Sequence, residues 1–213
     1  MGKKIAVFSI KGGEGKTALS LFLAQKLKYG LVTNEIYSEL DSVLPPERVL
    51  KIKSTEPFPE LPDDYDIIYD LRGSADKNVI DVLRVVDHVI IPVTRTPEIR
   101  QSLATILEVE VHNKNIILIA NKLKKGDWAW IQSRARTLIE GFNYPIFPMN
   151  HTKMFERLYS SKTSIDDYLN NVKNPLFKDK KNALASTWYK EPLRQFDEII
   201  SYLSLEEHKE KIK

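Results

Sequence analysis

A cluster of glycine residues lies between two lysines near the N-terminus. Gly12, Gly13 and Gly15 belong to residues 11–17, which read KGGEGKT. Glycine lets backbone N–H groups approach and wrap a phosphate chain. We expect Lys16 to reach the β- and γ-phosphates of a nucleotide and the Thr17 hydroxyl to bind Mg²⁺. The segment therefore predicts a nucleotide site with a magnesium ion.

The flanking sequence fits this interpretation. Residues 4–10 are a short apolar, β-branched run that predicts a buried strand, and residues 17–28 carry leucines at helical spacing. The start of such a helix adds its dipole and free N–H groups to a phosphate site. The strict P-loop pattern nevertheless fails, because its first glycine would stand where Ile10 is.

KGGEGKT resembles the deviant Walker-A box, KGGxGKT, of the ParA/MinD family of ATPases, and most closely that of ParA-like partition proteins. The βα succession fits over about residues 3–170. The resemblance implies that Lys11 crosses a nucleotide-sandwich dimer to the partner's phosphates. It also implies that ATP is held by the loop and the start of the helix, namely by Gly12, Gly13, Glu14, Gly15, Lys16, Thr17 and Ala18. Ala18 replaces a second threonine that is usual in this family.

A carboxylate ends another predicted strand. Asp70 follows the apolar residues 67–69 and begins the segment DLRG. A carboxylate at a strand end can hold Mg²⁺ through water and orient an attacking water, so we assign Asp70 a catalytic role. Lys16, which would reach the phosphates, and Lys11, by the role that the resemblance implies, are the other two catalytic candidates. In the resembled family this position is the second switch, where Gly73 would let the loop sense the γ-phosphate.

The base is predicted to be adenine. Asn121 and Lys122 follow a predicted strand as in the N-K-x-D box of GTPases, but Lys124 stands where the guanine-reading aspartate would be. The resemblance makes Asn121 a candidate contact to adenine, and an ordinary loop asparagine is the alternative.

One family feature is missing. The family has D-x-D after its second strand, whereas residues 33–41 here read TNEIYSELD. Asn34 or Glu35 would stand in by position, and Glu39 and Asp41 lie further on. We therefore expect ATP hydrolysis to be slow, or the protein to act mainly as a nucleotide-binding switch.

Strands and helices are predicted to alternate, which predicts an α/β fold with a mostly parallel central sheet and helices on both faces, a three-layer P-loop NTPase. We expect one domain over residues 1–213, with a helical segment over about 173–213 packed on it. The predicted strands cover residues 4–10, 31–37, 49–52, 66–70, 88–93, 115–120 and 146–149. The predicted helices cover residues 17–28, 75–86, 98–111, 128–140, 152–159, 164–171 and 183–205.

Composition narrows the function classes. The 213 residues contain no cysteine, which excludes disulfide scaffolds and thiolate chemistry. No apolar run reaches the length of a membrane span, and no signal peptide is evident, so we expect a cytoplasmic protein. The net charge is +3, but residues 121–162 hold eight basic and three acidic side chains. The basic residues of this segment are Lys122, Lys124, Lys125, Arg134, Arg136, Lys153, Arg157 and Lys162.

Three functions compete. The first is a ParA-like switch in plasmid or chromosome segregation, or in plasmid mobilisation. Its ATP dimer would bind DNA non-specifically through the basic segment, and a ParB-like or other partner would stimulate hydrolysis and release it. Such a protein would be nucleoid-associated. The second is a MinD-like membrane-surface ATPase, less favoured because residues 204–213 are mostly charged. The third is a metabolic enzyme such as a dethiobiotin-synthetase-like ligase, for which no acid–base pair is evident. Trp128 and Trp130 would either stack on nucleic acid or anchor a helix.

Overall fold

The strands form one sheet in the computed structural model, which describes residues 1–173 and 180–210. They are β1 (Lys4–Val7), β2 (Gly30–Thr33), β3 (Val49–Lys51), β4 (Ile67–Asp70), β5 (His88–Thr94), β6 (Ile116–Leu123) and β7 (Ile146–Asn150). Within the described residues the order is β3-β2-β4-β1-β5-β6-β7, and every neighbouring pair is parallel. The predicted fold class is confirmed, with a sheet that is parallel throughout.

Helices connect these strands. They are α1 (Lys16–Leu27), α2 (Lys77–Val85), α3 (Ile99–Glu110), α4 (Asp127–Leu138), α5 (Met154–Ser161), α6 (Ile165–Lys173) and α7 (Lys180–Glu210). Two short 3₁₀ turns, Leu40–Ser42 and Pro46–Arg48, precede β3.

The sheet separates two hydrophobic cores. Side chains of α1, α5, α6 and α7 fill one face, and those of α2, α3 and α4 fill the other. Because both faces are covered, strand residues of both orientations are buried, as every residue of β4 and β5 is. Helix α1 is itself covered, and its residues 19–24 are all buried.

The C-terminal helix completes the first core. Phe196 contacts Phe22 of α1 with ring centroids 4.0 Å apart, and Ile199 and Leu203 are fully or almost fully buried. The ammonium of Lys3 donates to the carbonyl of Leu203, which links the first residues of the chain to α7. Among the helices described, none combines the length and apolar character needed to cross a bilayer.

Several predicted boundaries were wrong at the edge that carries the site. Strand β1 ends at Val7 and β2 at Thr33, so residues 8–10 and 34–37 are connecting segments. Strand β6 extends to Leu123 through an irregularity between Ala120 and Leu123. Asn121 therefore lies within this distorted strand end instead of in the loop after it. Helix α7 begins at Lys180 instead of residue 183, and residues 174–179 and 211–213 of the predicted C-terminal segment lie outside the described residues.

Candidate nucleotide-binding site

The site lies at the carboxyl ends of the central strands. Strand β1 sits between β4 and β5, and the connection from β1 leads to one side of the sheet while that from β4 crosses to the other. Parallel sheets leave a crevice at such a reversal, and ligands bind there. The segment 11–17 occupies this crevice.

The glycine loop has the backbone that its sequence predicts. Gly13 and Gly15 have φ of 78° and 90°, in the left-handed region that favours glycine. A Cβ on Gly15 would also meet Asn121 Nδ2 at 2.5 Å. Gly15 caps α1 without a side-chain hydrogen bond, and the first turn of α1 holds no acidic residue. The N–H groups of that turn are thus not capped by a side chain, which suits an anion.

Lys16 occupies the loop interior. Its Nζ lies 3.4 Å from the carbonyl oxygen of Lys11, inside the curve of the glycine loop. Burial lowers the pKa of this ammonium, while the negative charges of Asp70, Glu35 and Glu14 act to raise it. A phosphate entering the loop would add further negative charge beside a cation that has lost part of its hydration.

Asp70 lies directly across from the loop. It ends β4, pairs in register with Val7 and Thr33, and is 1% exposed. Its carboxylate accepts hydrogen bonds from Ser20 Oγ at 3.1 Å and Thr33 Oγ1 at 3.3 Å, and it also interacts with the Thr17 hydroxyl. Burial raises the pKa of Asp70 to about 6, although these hydroxyls oppose the shift.

These oxygen atoms suit a magnesium ion. The Thr17 hydroxyl and the Asp70 carboxylate are hard ligands, and Mg²⁺ usually takes one or two protein oxygens and completes its shell with phosphates and waters. The described residues contain no group of three or more His, Cys, Asp or Glu that could hold a metal by themselves. The predicted arrangement, a shared ion between protein and phosphate, therefore fits these side chains.

The two residues that could replace the missing D-x-D, Asn34 and Glu35, lie in different surroundings. Asn34 is buried, and its Oδ1 accepts the backbone N–H of Arg72 at 2.7 Å, so it joins two loops. Glu35 instead lines a cavity of about 570 Å³ together with Gly12, Lys16 and Arg72. Of the two more distant acids, Asp41 pairs with Lys51 at 2.7 Å. Glu35 is thus the carboxylate of this region that faces the glycine loop.

Lys11 does not extend away from its own chain. Its Nζ donates to Thr96 Oγ1 at 2.5 Å and lies 3.4 Å from Glu14 Oε1 and 3.5 Å from Glu98 Oε2. Glu14 is completely buried, and it accepts the backbone N–H of Thr94 and the hydroxyl of Ser102. The variable residue of the KGGxGKT pattern is therefore a buried anion that fixes the loop to β5 and α3.

Asn121 fixes the loop from the other side. Its Nδ2 donates to the carbonyl of Glu14 at 2.7 Å, and its Oδ1 accepts the N–H of Lys122. Lys122 has φ of 55°, and its ammonium donates to the Gly13 carbonyl at 2.7 Å. The side chain that is predicted to contact adenine is thus already engaged in holding the loop, while it also lines a neighbouring cavity.

That cavity has a volume of about 480 Å³. It adjoins Gly15 and Ala18 and is bounded by the loop after β7. Its walls include Leu19, Asn121, Asn150, His151, Thr152 and Glu156. The residues from β7 onward were not predicted as site residues, because nothing in the sequence around Asn150 shows that β7 ends beside the glycine loop.

Comparison with known proteins agrees on the fold. No protein-family model matches the sequence, and no curated protein sequence matches it. Among solved structures, apo McdA of Cyanothece is similar with a TM-score of 0.65 and 14% identity over 95% of this chain and 100% of that one. MinD of Pyrococcus horikoshii in complex with Mg-ADP is similar with a TM-score of 0.61 and 14% identity, over 79% of this chain and 89% of that one. A plasmid partition protein of Borrelia burgdorferi bound to AMPPNP is similar with a TM-score of 0.54 and 18% identity, over 80% of this chain and 96% of that one.

This chain has the ParA/MinD fold. At these identities the likeness establishes the architecture, which agrees with the resemblance found in KGGEGKT. Several of the solved ParA/MinD structures hold ATP, AMPPNP or Mg-ADP.

On this ParA/MinD fold some cations of residues 121–162 lie around one cavity, and others are exposed elsewhere. Arg134 lies over the ring of Trp130 at 5.5 Å, and Arg95 of the β5–α3 loop lies over the same ring at 5.0 Å. Lys122 and Lys124 line the adjoining cavity of about 730 Å³, which we call the basic groove. The remaining exposed cations of the segment are Lys125, Arg136, Lys153 and Lys162.

Arg157 belongs to a different environment. It interacts with the hydroxyl of Tyr168 and lies 5.9 Å from the ring centre of Tyr189, so it packs between α6 and α7. The sequence leaves open whether the cations of residues 122–162 share one surface, and Arg157 does not line the basic groove.

The most important residues that sequence reasoning missed lie between β5 and α3. Arg95 completes the basic groove, and Thr96 and Glu98 hold Lys11. One signal was available: residues 95–98, RTPE, follow the buried strand β5 and contain charges of both signs and a proline. Because β5 neighbours β1, polar residues after it must lie beside the glycine loop.

Proposed function

We propose that this protein is a ParA-like ATPase that dimerises when it binds ATP and Mg²⁺, binds DNA non-specifically as a dimer, and releases it on hydrolysis. The observation that carries the proposal is the geometry around the glycine loop. A loop with left-handed glycines opens on the N-terminus of α1 beside Lys16, Thr17 and Asp70. This combination provides amide donors, a cation and oxygen ligands for a nucleoside triphosphate with its magnesium ion.

The residues of the loop take distinct roles in this mechanism. The N–H groups of residues 12–17 bind the phosphate oxygens, and Lys16 neutralises the charge of the β- and γ-phosphates. Thr17 and Asp70 are the side chains that would hold the magnesium ion. The ion, when bound, neutralises charge on the phosphates.

Glu35 is the candidate group for positioning water. It faces the same cavity as Lys16 and Arg72, and it is the only acidic residue of segment 33–41 that lines this cavity. A carboxylate there can orient a water near the γ-phosphate, since positioning is the main protein contribution to phosphoryl transfer. Because glutamate has a longer and more flexible side chain than the aspartate of D-x-D, we expect positioning to be poorer and hydrolysis slow.

The basic groove supports DNA as the surface that the dimer binds. Arg95, Lys122, Lys124 and Arg134 surround the half-buried Trp130, and the groove adjoins Gly13 of the nucleotide loop. Binding through phosphates needs positive charge but no base code. Because Lys122 donates to the Gly13 carbonyl, the groove and the nucleotide loop share a hydrogen bond through which one can affect the other. Segregation of a plasmid or chromosome, or plasmid mobilisation, would use such a switch, together with a partner protein that stimulates hydrolysis.

A duplex-binding assay tests this proposal. A fluorescent DNA duplex of random sequence is titrated with the protein at low salt in ATP-Mg²⁺, in ADP-Mg²⁺ and without nucleotide, and Lys16→Ala is the control. We expect binding in ATP alone, and loss of binding as salt is added. Equal binding in all three states would contradict the switch. If the protein binds ATP but never binds the duplex, DNA is not the surface that the dimer binds; anionic lipid vesicles then test the membrane-surface alternative.

A further inference from the structure

The surroundings of Lys11 differ from those of an exposed lysine. Its ammonium is enclosed by the Thr96 hydroxyl and by the carboxylates of Glu14 and Glu98, which we call the Lys11 cradle. Only 18% of the Lys11 side chain is exposed. The three partners come from the glycine loop and from the β5–α3 loop, so the cradle forms when the chain folds and requires no second molecule.

Glu14 makes departure from the cradle unfavourable. Its side chain is fully buried, and its other partners are the neutral Thr94 N–H at 2.5 Å and the Ser102 hydroxyl at 2.8 Å. If Lys11 left, the carboxylate would keep these two neutral donors and the Coulomb attraction of Lys16, but it would lose the cation that lies 3.4 Å from it. Removing one partner from a buried ion pair is much more costly than separating an exposed pair.

We propose that Glu14 and Glu98 are positioning residues that hold Lys11 within its own chain and so oppose formation of the ATP dimer. This inference rests on the proposed function, and on the contact between Lys11 and the phosphates of a second copy that the resemblance to the ParA/MinD family implies. Lys11 has one ammonium group and cannot occupy its own cradle and the partner's phosphates together. The concentrated negative charge of a bound triphosphate is then what draws Lys11 out.

Glu14 and Glu98 contribute unequally to holding Lys11. The Glu98 side chain is 54% exposed, so water screens its ion pair with Lys11, whereas the Glu14 side chain is not exposed to solvent. Glu98→Gln is therefore the mild variant and should fold like the wild type. Glu14→Gln keeps the shape and removes the buried charge; its amide oxygen can accept the Thr94 N–H, and its amide nitrogen would donate to the Ser102 hydroxyl.

The cradle can be tested on the nucleotide-free protein. Lysine acetylation by N-hydroxysuccinimide acetate is followed by mass spectrometry, with the exposed Lys125 as internal reference. We expect Lys11 to react slowly in the wild type and several-fold faster in Glu98→Gln and Glu14→Gln. Glu110→Gln is the matched control, because it removes an acid at the far end of α3, where the carboxylate pairs with Lys114 and not with Lys11. An unchanged Lys11 rate in Glu98→Gln would overturn the cradle.

Dimerisation in ATP-Mg²⁺ tests the opposing role. The protein concentration at half-dimerisation should fall roughly two- to five-fold in Glu98→Gln and about ten-fold or more in Glu14→Gln, with Glu110→Gln unchanged. Weaker or equal dimerisation of both variants, with ATP binding intact, would overturn the inference. If every protein binds ATP but none dimerises, the proposed function fails, and the acetylation rates still decide whether the cradle exists.

Discussion

The side chain of Asn34 accepts the backbone N–H of Arg72 at 2.7 Å. This single hydrogen bond connects the segment after β2 to the segment after β4, and both segments border the cavity that contains Lys16 and Glu35. In the proposed switch, a displacement of one segment would be passed to the other through this hydrogen bond. The close approach of the second segment to the glycine loop would connect both segments to the nucleotide.

Gly73→Ala should impair the switch more than it impairs nucleotide binding. A Cβ at this position would meet the carbonyl oxygens of Ile10 at 2.6 Å and Ser9 at 3.1 Å, so the backbone must shift. We expect a loss of roughly 1–3 kcal/mol of stability from this overpacking and a several-fold fall in ATPase rate. Gly30→Ala is the control, because its Cβ would meet only atoms at 3.7 Å or beyond. Equal ATPase rates for both variants would show that segment 71–74 does not need its close approach to the glycine loop.

Asp70 should make the metal-free protein less stable as pH rises. Its pKa is raised to about 6 in the folded state, above the ordinary value of 3.8, because the carboxylate is buried. The folded protein therefore binds the proton more tightly than the unfolded chain, so this group stabilises the fold at low pH. That contribution decreases between about pH 4 and 6 and is lost above pH 6.

Asp70→Asn is predicted to remove this dependence. With chelator present at pH 7, we expect the variant to be more stable than the wild type by roughly 1–3 kcal/mol, because no buried charge must form. It should at the same time lose Mg²⁺-dependent ATP hydrolysis. Denaturant unfolding at pH 4.5 and pH 7 measures the first effect, and phosphate release measures the second. A variant that is destabilised equally at both pH values would contradict the assigned pKa shift.

Asn121→Ala distinguishes two roles of that side chain. Its hydrogen bonds to Glu14 and Lys122 fix the loop, so the variant should bind all nucleotides more weakly, by roughly five- to ten-fold. If Asn121 also reads adenine, ATP binding should fall more than GTP binding, and the preference for ATP over GTP should narrow. Titration calorimetry with both nucleotides separates these results. Asn143→Ala, an exposed position, is the control. Unchanged affinity for both nucleotides would contradict both roles.

The basic groove should account for the salt dependence of DNA binding. The double variant Lys124→Ala/Arg134→Ala removes two cations, and the slope of log affinity against log salt should become shallower by about 0.9 for each phosphate that is no longer neutralised. Lys77→Ala/Arg84→Ala changes the net charge equally on α2, whose exposed side chains pair with Asp81. If the two double variants weaken binding alike, general charge and not the basic groove attracts DNA.

The glycine loop was predictable from sequence because its chemistry is local. Segment 11–17 contains its glycines, lysines and threonine in one run, and alternating apolar strands predicted the parallel sheet that places Asp70 beside it. Residues contributed by distant segments were not predictable in the same way. Arg95, Thr96 and Glu98 join the site only because β5 lies next to β1, and Asn150 only because β7 ends beside α1.

The sequence also does not show which partner each side chain takes. Asn34 is a candidate by position to replace a missing aspartate, but its amide is used by Arg72. The sequence predicts Asn121 after a strand, whereas β6 continues through it by an irregularity. Arg157 belongs to the basic segment by sequence, yet it packs on tyrosines of α6 and α7. Sequence spacing shows which groups a segment carries, but it does not show which neighbours will bind them first.

The molar mass in solution tests the ATP-dependent dimer most directly. Light scattering is measured for the wild type, Lys16→Ala and Lys11→Ala with AMPPNP-Mg²⁺ and with ADP-Mg²⁺, after nucleotide binding has been confirmed separately. We predict a shift from 24.6 kDa to twice that mass for the wild type in AMPPNP only. Lys16→Ala should bind no nucleotide and remain monomeric, while Lys11→Ala should bind nucleotide and remain monomeric. A wild type that binds AMPPNP and stays monomeric would contradict the switch, and a Lys11→Ala protein that dimerises like the wild type would contradict the role of Lys11 in the dimer.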